Sequence, residues 1–299
     1  MAAGEMLWTT QSGYLTNGYL NKKFQKAAQP LLRFRQFVDI KESFGKQKGE
    51  TVNWMKVANV STVGGVLAET ATMHETPQVL SWGTLSVNEY GNSIPFTLKL
   101  EALSEFDVES IMRDGLLDDF VKVIDGSIER EFNSCALRLV GTATDGYVLT
   151  TNGTAAVINT SAFLPYHVRK MVAELKKRNV PGWSSLEGDY VCIASLEALE
   201  GLYGGLETLS SYTETGYKKI LAGEVGRYYG VRFVEDTFAT RYTYSATART
   251  ATAKSWAQAK SLDAYMFGSP TIREAIVIPE EIRMKVVTDY GRSKGIAWN

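Results

Sequence analysis

A helical spacing of apolar residues dominates the stretch from about Asp107 to Leu139. The apolar positions are three or four residues apart, at Leu117, Val121, Ile124, Ile128, Phe132, Cys135 and Leu139. Such spacing places them on one face of a helix. The pattern predicts a helix of roughly 50 Å, at about 1.5 Å per residue. It would begin at the capping-box-like pair Ser104 and Asp107 and end at Gly141. A helix of this length favours a structural role over a catalytic one.

Strand patterns lie on both sides of this helix. Residues 50–57 are rich in β-forming side chains, and apolar residues alternate with mostly polar ones at Leu85 and Val87 and again from Ile94 to Leu100. The polar stretch between them makes an extended hairpin, and a two-stranded ribbon is marginal unless it lies on something. Further along, the pattern predicts a helix, three buried or partly buried strands and two closing β segments, at Phe163–Lys177, Tyr190–Ala194, Val231–Val234, Ala264–Phe267, Ile272–Ile278 and Ile282–Val287. The predicted fold class is α+β.

Bulk composition excludes several classes of protein. The net charge of −1 does not suit a nucleic-acid-binding protein, which usually carries a basic surplus. No apolar run reaches the ~18 residues of a membrane span, and the N-terminus lacks the features of a secretory signal. Only Cys135 and Cys192 are present, which is typical of a reduced, cytosolic chain. Cys135 lies on the helical stripe and is predicted to be buried.

Charge is distributed unevenly along the chain. Basic residues dominate from residue 20 to 48, and acidic residues dominate from 101 to 125. Any single exposed pair contributes little, but the asymmetry as a set favours contacts between copies. The candidate residues for such contacts are Lys22, Lys23, Arg33 and Arg35 in the basic segment and Asp114, Asp118 and Asp119 on the long helix.

Signals for catalysis are weak. His167 and Cys192 could form a nucleophile–base dyad, although a structural histidine and a core thiol explain them better. The chain has no Cys-x-x-Cys, His-Glu-x-x-His or phosphate-loop motif. Asp118 and Asp119 are neighbours on a helix and point about 100° apart, so shared metal ligation is awkward. We therefore predict no catalytic residue, no metal site and no cofactor.

Three short stretches resemble a known family when they are read with the order of the elements. They are Phe44–Val52 before the first strand, Leu67–Thr70 in the hairpin and Thr288–Trp298 at the C-terminus. The chain resembles the major capsid proteins of tailed bacteriophages, with the Hong Kong 97-type (Johnson) fold. The resemblance implies an N-terminal arm (1–45), an extended E-loop hairpin (46–100), a P-domain with a spine helix (101–160), an A-domain (161–270) and returning P-domain strands (271–299).

The resemblance also implies a function without catalysis. The subunit would assemble as hexamers and pentamers into an icosahedral shell around double-stranded DNA, made in the bacterial cytoplasm and found in the virion. Its partners would be other copies, a separate scaffolding protein, a portal protein and DNA bound without sequence specificity; a decoration protein stays open. Trp54 and Lys56 in the hairpin join the interface candidates. The alternatives are an encapsulin-like compartment that holds enzyme cargo, and a cytosolic hydrolase that uses Cys192 and His167.

Overall fold

The computed structural model describes most of the chain in two compact units. The described residues are 33–41, 51–58, 60, 64–154, 159–202, 227–237, 242–245, 250–253, 263–269 and 271–299. The first unit comprises Met1–Asp39, Gly91–Arg273 and Ile282–Asn299, and the second comprises Ile40–Tyr90 and Glu274–Glu281. Lys22 and Lys23 lie outside the described residues.

Helices and strands are mixed, as the α+β prediction requires. The helices are α1 (Leu98–Leu103), α2 (Val108–Asn133), α3 (Pro165–Lys177) and α4, described over 196–202. The strands are β1 (Asp39–Lys41), β2 (Thr51–Val57), β3 (Leu80–Ser86), β4 (Asn92–Thr97), β5 (Arg138–Gly141), β6 (Tyr147–Thr150), β7 (Tyr190–Ala194), β8 (Arg227–Tyr228), β9 (Val231–Glu235), β10 (Tyr242–Ser245), β11 (Thr250–Ala253), β12 (Ala264–Phe267), β13 (Arg273–Ala275), β14 (Ile282–Met284) and β15 (Ser293–Trp298).

The main core surrounds a four-stranded sheet in the order β12-β7-β9-β8. Strand β7 runs parallel to β9 and antiparallel to β12. Every residue of β7 is buried, because the sheet is covered on both faces, and this explains its continuous apolar run. On one face Cys192 and Ala194 pack with Val168 and Val172 of α3. The predicted helix and strands of this region are confirmed.

The other face of the same sheet is covered by the C-terminal half of α2 and by residues 33–38, which we name the leading segment. Val191 and Ile193 pack here with Ile128 and Phe132 of α2. Phe34, Phe37 and Val38 of the leading segment complete this cluster. The surface on which these three residues pack is therefore provided by the same chain.

A second sheet, in the order β14-β15-β4, packs beside α2. Strand β15 lies in the middle and pairs antiparallel with β4 from Ser293↔Thr97 to Trp298↔Asn92. Ile296 and Phe96 are buried at this sheet. The alternation of apolar and polar residues does not predict β15, since small and charged residues interrupt it, whereas the family resemblance implies returning strands over 271–299. The sequence does predict a strand at Ile94 and Phe96, and this is confirmed.

The long helix is shorter than predicted and faces a different way. It begins at the N-cap Asp107, whose carboxylate accepts from the Glu109 and Ser110 amides, while Ser104 caps the end of α1 instead. It ends at Asn133, where the Arg138 guanidinium donates to the Asn133 carbonyl. Gly141 lies in β5, not at a helix end.

The predicted apolar stripe is wrong at both of its ends. Leu117 is 52% exposed, and the N-terminal half of α2 buries Val108, Met112 and Leu116 instead. Cys135 lies beyond the helix and is exposed, which corrects the prediction that it is buried. Leu139 pairs with Leu149 in the hairpin β5–β6. The three- and four-residue spacing of apolar residues continues beyond Ser134, so it did not reveal that the helix ends there.

The predicted alternation from Ile94 to Leu100 also breaks within its length. Thr97 caps a short helix by accepting from the Leu100 amide, so Leu98 and Leu100 belong to α1. Strand β4 belongs to the first compact unit, and the segment of the second unit that contains β2 and β3 ends at Tyr90. A hairpin that extends to residue 100 is therefore too long.

The second unit contains the predicted hairpin. Strands β2 and β3 pair antiparallel from Thr51↔Ser86 to Val57↔Leu80. All residues of β3 are exposed.

The position of β15 generates a stability prediction. Replacing Ile296, which is 2% exposed, by alanine should lower the free energy of unfolding by about 2–5 kcal/mol, because it leaves a cavity in the core. The control Val286→Ala, at a site 84% exposed, should change it by less than about 0.5 kcal/mol. Chemical denaturation of the unassembled chain measures both, and equal small effects would contradict the buried position of Ile296.

Candidate functional site

The leading segment is anchored to the long helix by one buried carboxylate. Asp125 of α2 accepts hydrogen bonds from three consecutive backbone amides: Arg33 at 3.2 Å, Phe34 at 2.9 Å and Arg35 at 3.1 Å. Asp125 is 3% exposed. We name residues 33–38 together with Asp125 the anchor.

The local conformation of the leading segment explains why one carboxylate binds three amides. Phe34 has helical dihedral angles and precedes a 3₁₀ turn at Arg35–Phe37. The first amides of any helical turn have no partner within the turn. A capping side chain normally comes from the preceding residue, and here a carboxylate 90 positions further along takes that role.

Aromatic packing completes the anchor. Phe34 is fully buried, and its ring lies 5.4 Å from that of Phe132 and 5.7 Å from that of Tyr265. Phe37 contacts Trp183 and Phe267 at 5.9 and 5.7 Å between ring centroids. The Arg35 guanidinium lies 5.8 Å from the Phe120 ring. These contacts hold residues 33–38 in place, immediately after residues 1–32.

Further acidic groups lie near this carboxylate. Burial, together with the nearby charge of Asp236, raises the pKa of Asp125 to about 6, and the three amides only partly oppose this shift. Glu129, one helical turn beyond Asp125, is also buried and accepts from the Tyr265 hydroxyl. Burial and the charges of Asp263 and Glu129 raise the pKa of Tyr265.

Sequence reasoning missed Asp125 because it was counted with the acidic surface. A signal was present in the spacing, since Asp125 precedes Ile128 by three positions and Phe132 by seven and therefore lies on their face. Glu129 lies on the same face. Carboxylates within an apolar stripe require a local donor when the helix is packed.

The structure places two of the predicted interface residues at the surface. Arg33 and Asp114 are exposed. The charged segments make contact within one chain, where the backbone amides of Arg33 and Arg35 donate to the Asp125 carboxylate. The core side chains of residues 33–38 are therefore buried by their own chain.

Asp119 has an internal role that the sequence did not predict. Its carboxylate accepts from the Asn92 amide at 2.8 Å and from the Trp298 indole at 3.1 Å. It therefore ties α2 to the ends of β4 and β15. Asp118, the neighbouring residue, is half-buried.

The hairpin carries an exposed apolar face. Met55 pairs with Trp82, and Val57 pairs with Leu80. Side chains at these positions share one side of the ribbon. All four are more than half exposed, with Trp82 at 74%. We name Met55, Val57, Leu80 and Trp82 the apolar hairpin face. Trp54 and Lys56 lie on the opposite side, where Trp54 is half-buried and Lys56 is exposed.

Cys192 and His167 each have a structural role. Cys192 is fully buried in β7, and burial raises the pKa of its thiol to about 12. Such a thiol is not a nucleophile at neutral pH. His167 is buried, and its Nδ1 accepts from the Leu164 amide at 3.1 Å. Its Nε2 lies 3.2 Å from the carbonyls of Ala143 and Gly146, so both ring nitrogens are engaged. This geometry does not favour the hydrolase.

Two searches of the described residues were negative. No helix among them has both the length and the apolar character that a membrane crossing requires. Within the same residues, no group of three or more potential ligand side chains is arranged to hold a metal ion.

Comparison with solved structures identifies the fold. The capsid of Helicobacter pylori bacteriophage KHP30 aligns with 98% of this chain and 89% of its own, with a TM-score of 0.62 and 11% identity. The capsid of cyanophage P-SCSP1u aligns with 97% of this chain and 88% of its own, with a TM-score of 0.61 and 12% identity. A chain of Mycobacterium phage Che8 aligns with 94% of this chain and 90% of its own, with a TM-score of 0.58 and 13% identity.

These matches define the class of fold. No protein-family model and no curated protein matches the sequence. The three structural relatives are nevertheless covered over almost their whole length. The chain has the fold of the tailed-phage major capsid proteins.

The anchor generates a prediction about folding. Phe34→Ala should lower the free energy of unfolding by about 3–5 kcal/mol, since the ring is fully buried between α2 and β12. Gln36→Ala, at an exposed position in the same turn, should have almost no effect. Denaturant unfolding of both variants measures the difference. An unchanged stability in Phe34→Ala would mean that the leading segment is not packed on its own chain.

Thiol reactivity tests the hydrolase alternative. In the folded, unassembled chain, iodoacetamide at pH 8 should label the exposed Cys135 and spare the buried Cys192. Both thiols should react after denaturation, and Cys135→Ser should abolish labelling of the folded chain. Mass spectrometry of the peptides distinguishes the two sites. Rapid native labelling of Cys192 would revive the possibility of a nucleophile.

Proposed function

We propose that this chain is the structural subunit of a phage capsid, which assembles with copies of itself into a closed shell. The single observation that carries the proposal is the apolar hairpin face. Exposed apolar surface of this kind marks an interaction site. A two-stranded ribbon also needs a supporting surface to be stable. A neighbouring copy in a shell supplies that surface.

The geometry of the hairpin supports this proposal. The two cross-strand pairs place two large side chains, Trp82 and Met55, directly opposite each other, and Val57 and Leu80 extend the same side. Polar residues continue this side toward Thr51 and Ser86. The apolar hairpin face is therefore a bounded patch near one end of the paired strands. A patch of this form suits a specific contact on a second subunit.

The charged candidates remain part of the proposed interfaces between subunits. Arg33 and Asp114 present exposed charges. Lys22, Lys23, Arg35, Asp118, Trp54 and Lys56 complete the set proposed for these contacts. Asp119 is better assigned to the internal tie with Asn92 and Trp298.

We also propose the domain assignments of the capsid family for this chain. The second compact unit corresponds to the E-loop, and α2 corresponds to the spine helix of the P-domain. The sheet β12-β7-β9-β8 with α3 corresponds to the A-domain. Strand β15 corresponds to the returning part of the P-domain. Its antiparallel pairing with β4 supports this assignment.

The proposed assembly implies its partners and location. Hexamers and pentamers would form an icosahedral shell in the bacterial cytoplasm and enclose double-stranded DNA in the virion. A separate scaffolding protein and a portal protein would take part, and a decoration protein would add to the outside if one exists. The role is structural and not catalytic.

Assembly itself is the decisive test of the proposal. The chain, expressed with and without its genomic neighbours, should form closed particles visible by negative-stain electron microscopy. The double variant Met55→Ser and Trp82→Ser should reduce the particle yield at least tenfold, because it removes the centre of the apolar hairpin face. Circular dichroism and thermal unfolding should match the wild type, since both residues are exposed.

A matched control identifies the side of the ribbon that is involved. Leu85→Ser makes the same kind of change on the opposite side of β3 and should reduce particle yield far less. Equal losses would contradict the assignment of the apolar hairpin face. A wild-type chain that stays monomeric at high concentration, even with its genomic neighbours, would overturn the proposed function.

The contents of purified particles separate the two kinds of shell. Nuclease-protected DNA of genomic length in particles from infected cells supports the virion capsid. A stoichiometric protein cargo without DNA would indicate the encapsulin-like compartment instead.

A further inference from the structure

The hairpin of β5 and β6 is followed by an exposed turn that contains an asparagine–glycine pair. Strand β6 ends at Thr150, and Asn152 and Gly153 follow two and three residues later. Asparagine before glycine is especially prone to spontaneous deamidation, because glycine has no side chain to shield its amide nitrogen. Asn152 is exposed, so water reaches its carboxamide. Burial therefore does not protect this pair.

The geometry of the turn explains why these two residue types stand here. Gly153 has a φ of +78°, a left-handed conformation that strains residues with a side chain. The Oδ1 atom of Asn152 accepts from the Thr154 amide at 3.1 Å, the bond by which asparagine closes a turn two residues further on. A turn of this shape therefore places a chemically labile pair at the surface.

The hydrogen bonds of the turn hold the atoms that would react. Deamidation begins when the Gly153 backbone nitrogen loses its proton and attacks the side-chain carbonyl carbon of Asn152. In the structure this nitrogen donates to the Ala136 carbonyl at 2.9 Å, so its proton is engaged. The bond from Thr154 fixes the carboxamide. A further bond, from the Thr150 hydroxyl to the Thr154 carbonyl at 2.8 Å, holds the end of the turn.

We propose that the pair Asn152 and Gly153 is a latent deamidation site, which its own turn keeps intact and which reacts when the turn opens. The opening is local, since it breaks the bonds of the turn and leaves the rest of the chain folded. The site lies within a single chain and does not depend on the proposed shell.

The reaction needs water as its one co-reactant. A bond forms between the Gly153 nitrogen and the side-chain carbonyl carbon of Asn152, while the bond from that carbon to the side-chain nitrogen breaks. The proton lost by Gly153 leaves with the side-chain amide as ammonia, and a succinimide ring remains. Water then opens the ring at either carbonyl to give aspartate or isoaspartate. Both products add a negative charge to the turn, and isoaspartate also lengthens the backbone.

The bond from the Thr154 amide has a second effect, which acts in the opposite direction. It polarises the Asn152 carbonyl and so favours attack on the carbonyl carbon. The attacking group is the deprotonated Gly153 nitrogen, however, and its proton is held by the bond to Ala136. The closed turn therefore withholds the nucleophile, and its net effect is protection.

Deamidation of the folded and the unfolded chain tests the proposal. The full-length, unassembled protein is incubated at neutral pH with and without guanidinium chloride, and peptide mass spectrometry follows the conversion of Asn152. The rate should be at least about tenfold lower in the folded chain, because the bonds to both reacting groups must break first. Asn17 and Gly18 form the same dipeptide and calibrate the rate in the unfolded chain. Equal rates at Asn152 in the two states would overturn the proposal.

Two variants separate the turn from the stability of the whole chain. Thr150→Val keeps a β-branched side chain but removes the hydroxyl bond to Thr154, and should raise the rate in the folded chain about threefold. Its rate in guanidinium chloride should equal that of the wild type. Ile296→Ala weakens the core at a different sheet and should leave the rate in the folded chain unchanged.

The two variants also state what would contradict the latent site. An unchanged rate in Thr150→Val, or an equal rise in Ile296→Ala, would mean that the bonds of the turn do not protect Asn152 and would overturn the proposal. Circular dichroism verifies that both variants are folded. If Thr150→Val does not fold, the ratio of the folded to the unfolded rate in the wild type and the rate in Ile296→Ala decide the question.

Discussion

The subunit depends on the burial of one carboxylate against the backbone of a distant segment. Removing an ionisable group from water is costly unless its hydrogen bonds are replaced. Asp125 has three replacements, all from residues 33–35. Because consecutive amides in a helical turn supply them, the carboxylate fixes the direction of the backbone as well as its position. Phe34 is then placed between Phe132 and Tyr265, where the second face of the main sheet would otherwise be open. An interaction between residues 90 positions apart thus closes the core.

The two units differ in how far their apolar side chains are covered by the same chain. In the first unit both faces of the sheet β12-β7-β9-β8 are covered by residues of the same chain. In the second unit the paired strands β2 and β3 carry large apolar side chains that are mostly exposed. In the proposed shell the attraction between copies therefore comes from the hairpin, whereas residues 33–38 contribute to the stability of the single chain. The contrast between the basic and acidic segments predicts that they meet, but not how they meet. Backbone amides and a buried carboxylate make a stronger contact than exposed ion pairs, which typically contribute less than about 1 kcal/mol.

Sequence patterns predicted the elements whose burial is uniform. Tyr190–Ala194 is buried on both sides and reads as a continuous apolar run, and α3 has a well-defined apolar face. The failures occur where a local polar contact outweighs the periodicity. Thr97 caps α1 and interrupts an alternation that otherwise continues to Leu100, and Arg138 holds the end of α2 before Cys135 and Leu139. Strand β15 has no regular alternation of apolar and polar residues, because Lys294 and Gly295 stand beside Ile296. It is a strand because it pairs with β4 and β14 on its two sides. The fold class and the hairpin were thus predictable from the sequence, whereas the anchor required the three-dimensional structure.

The size of the apolar hairpin face is consistent with the proposed closed shell, in which each copy makes several such contacts. Complete burial of one large apolar side chain contributes about 1.5–3 kcal/mol relative to exposure. Four side chains that are already partly covered would contribute only a few kcal/mol in total. Bringing two proteins together costs about 4–15 kcal/mol in lost translational and rotational freedom alone. One hairpin contact is therefore too weak to hold two copies together. In a closed ring or shell each copy both gives and receives such a contact, and the later contacts form within an existing assembly at high effective concentration. A ribbon that is weak by itself is then sufficient, provided that the geometry closes.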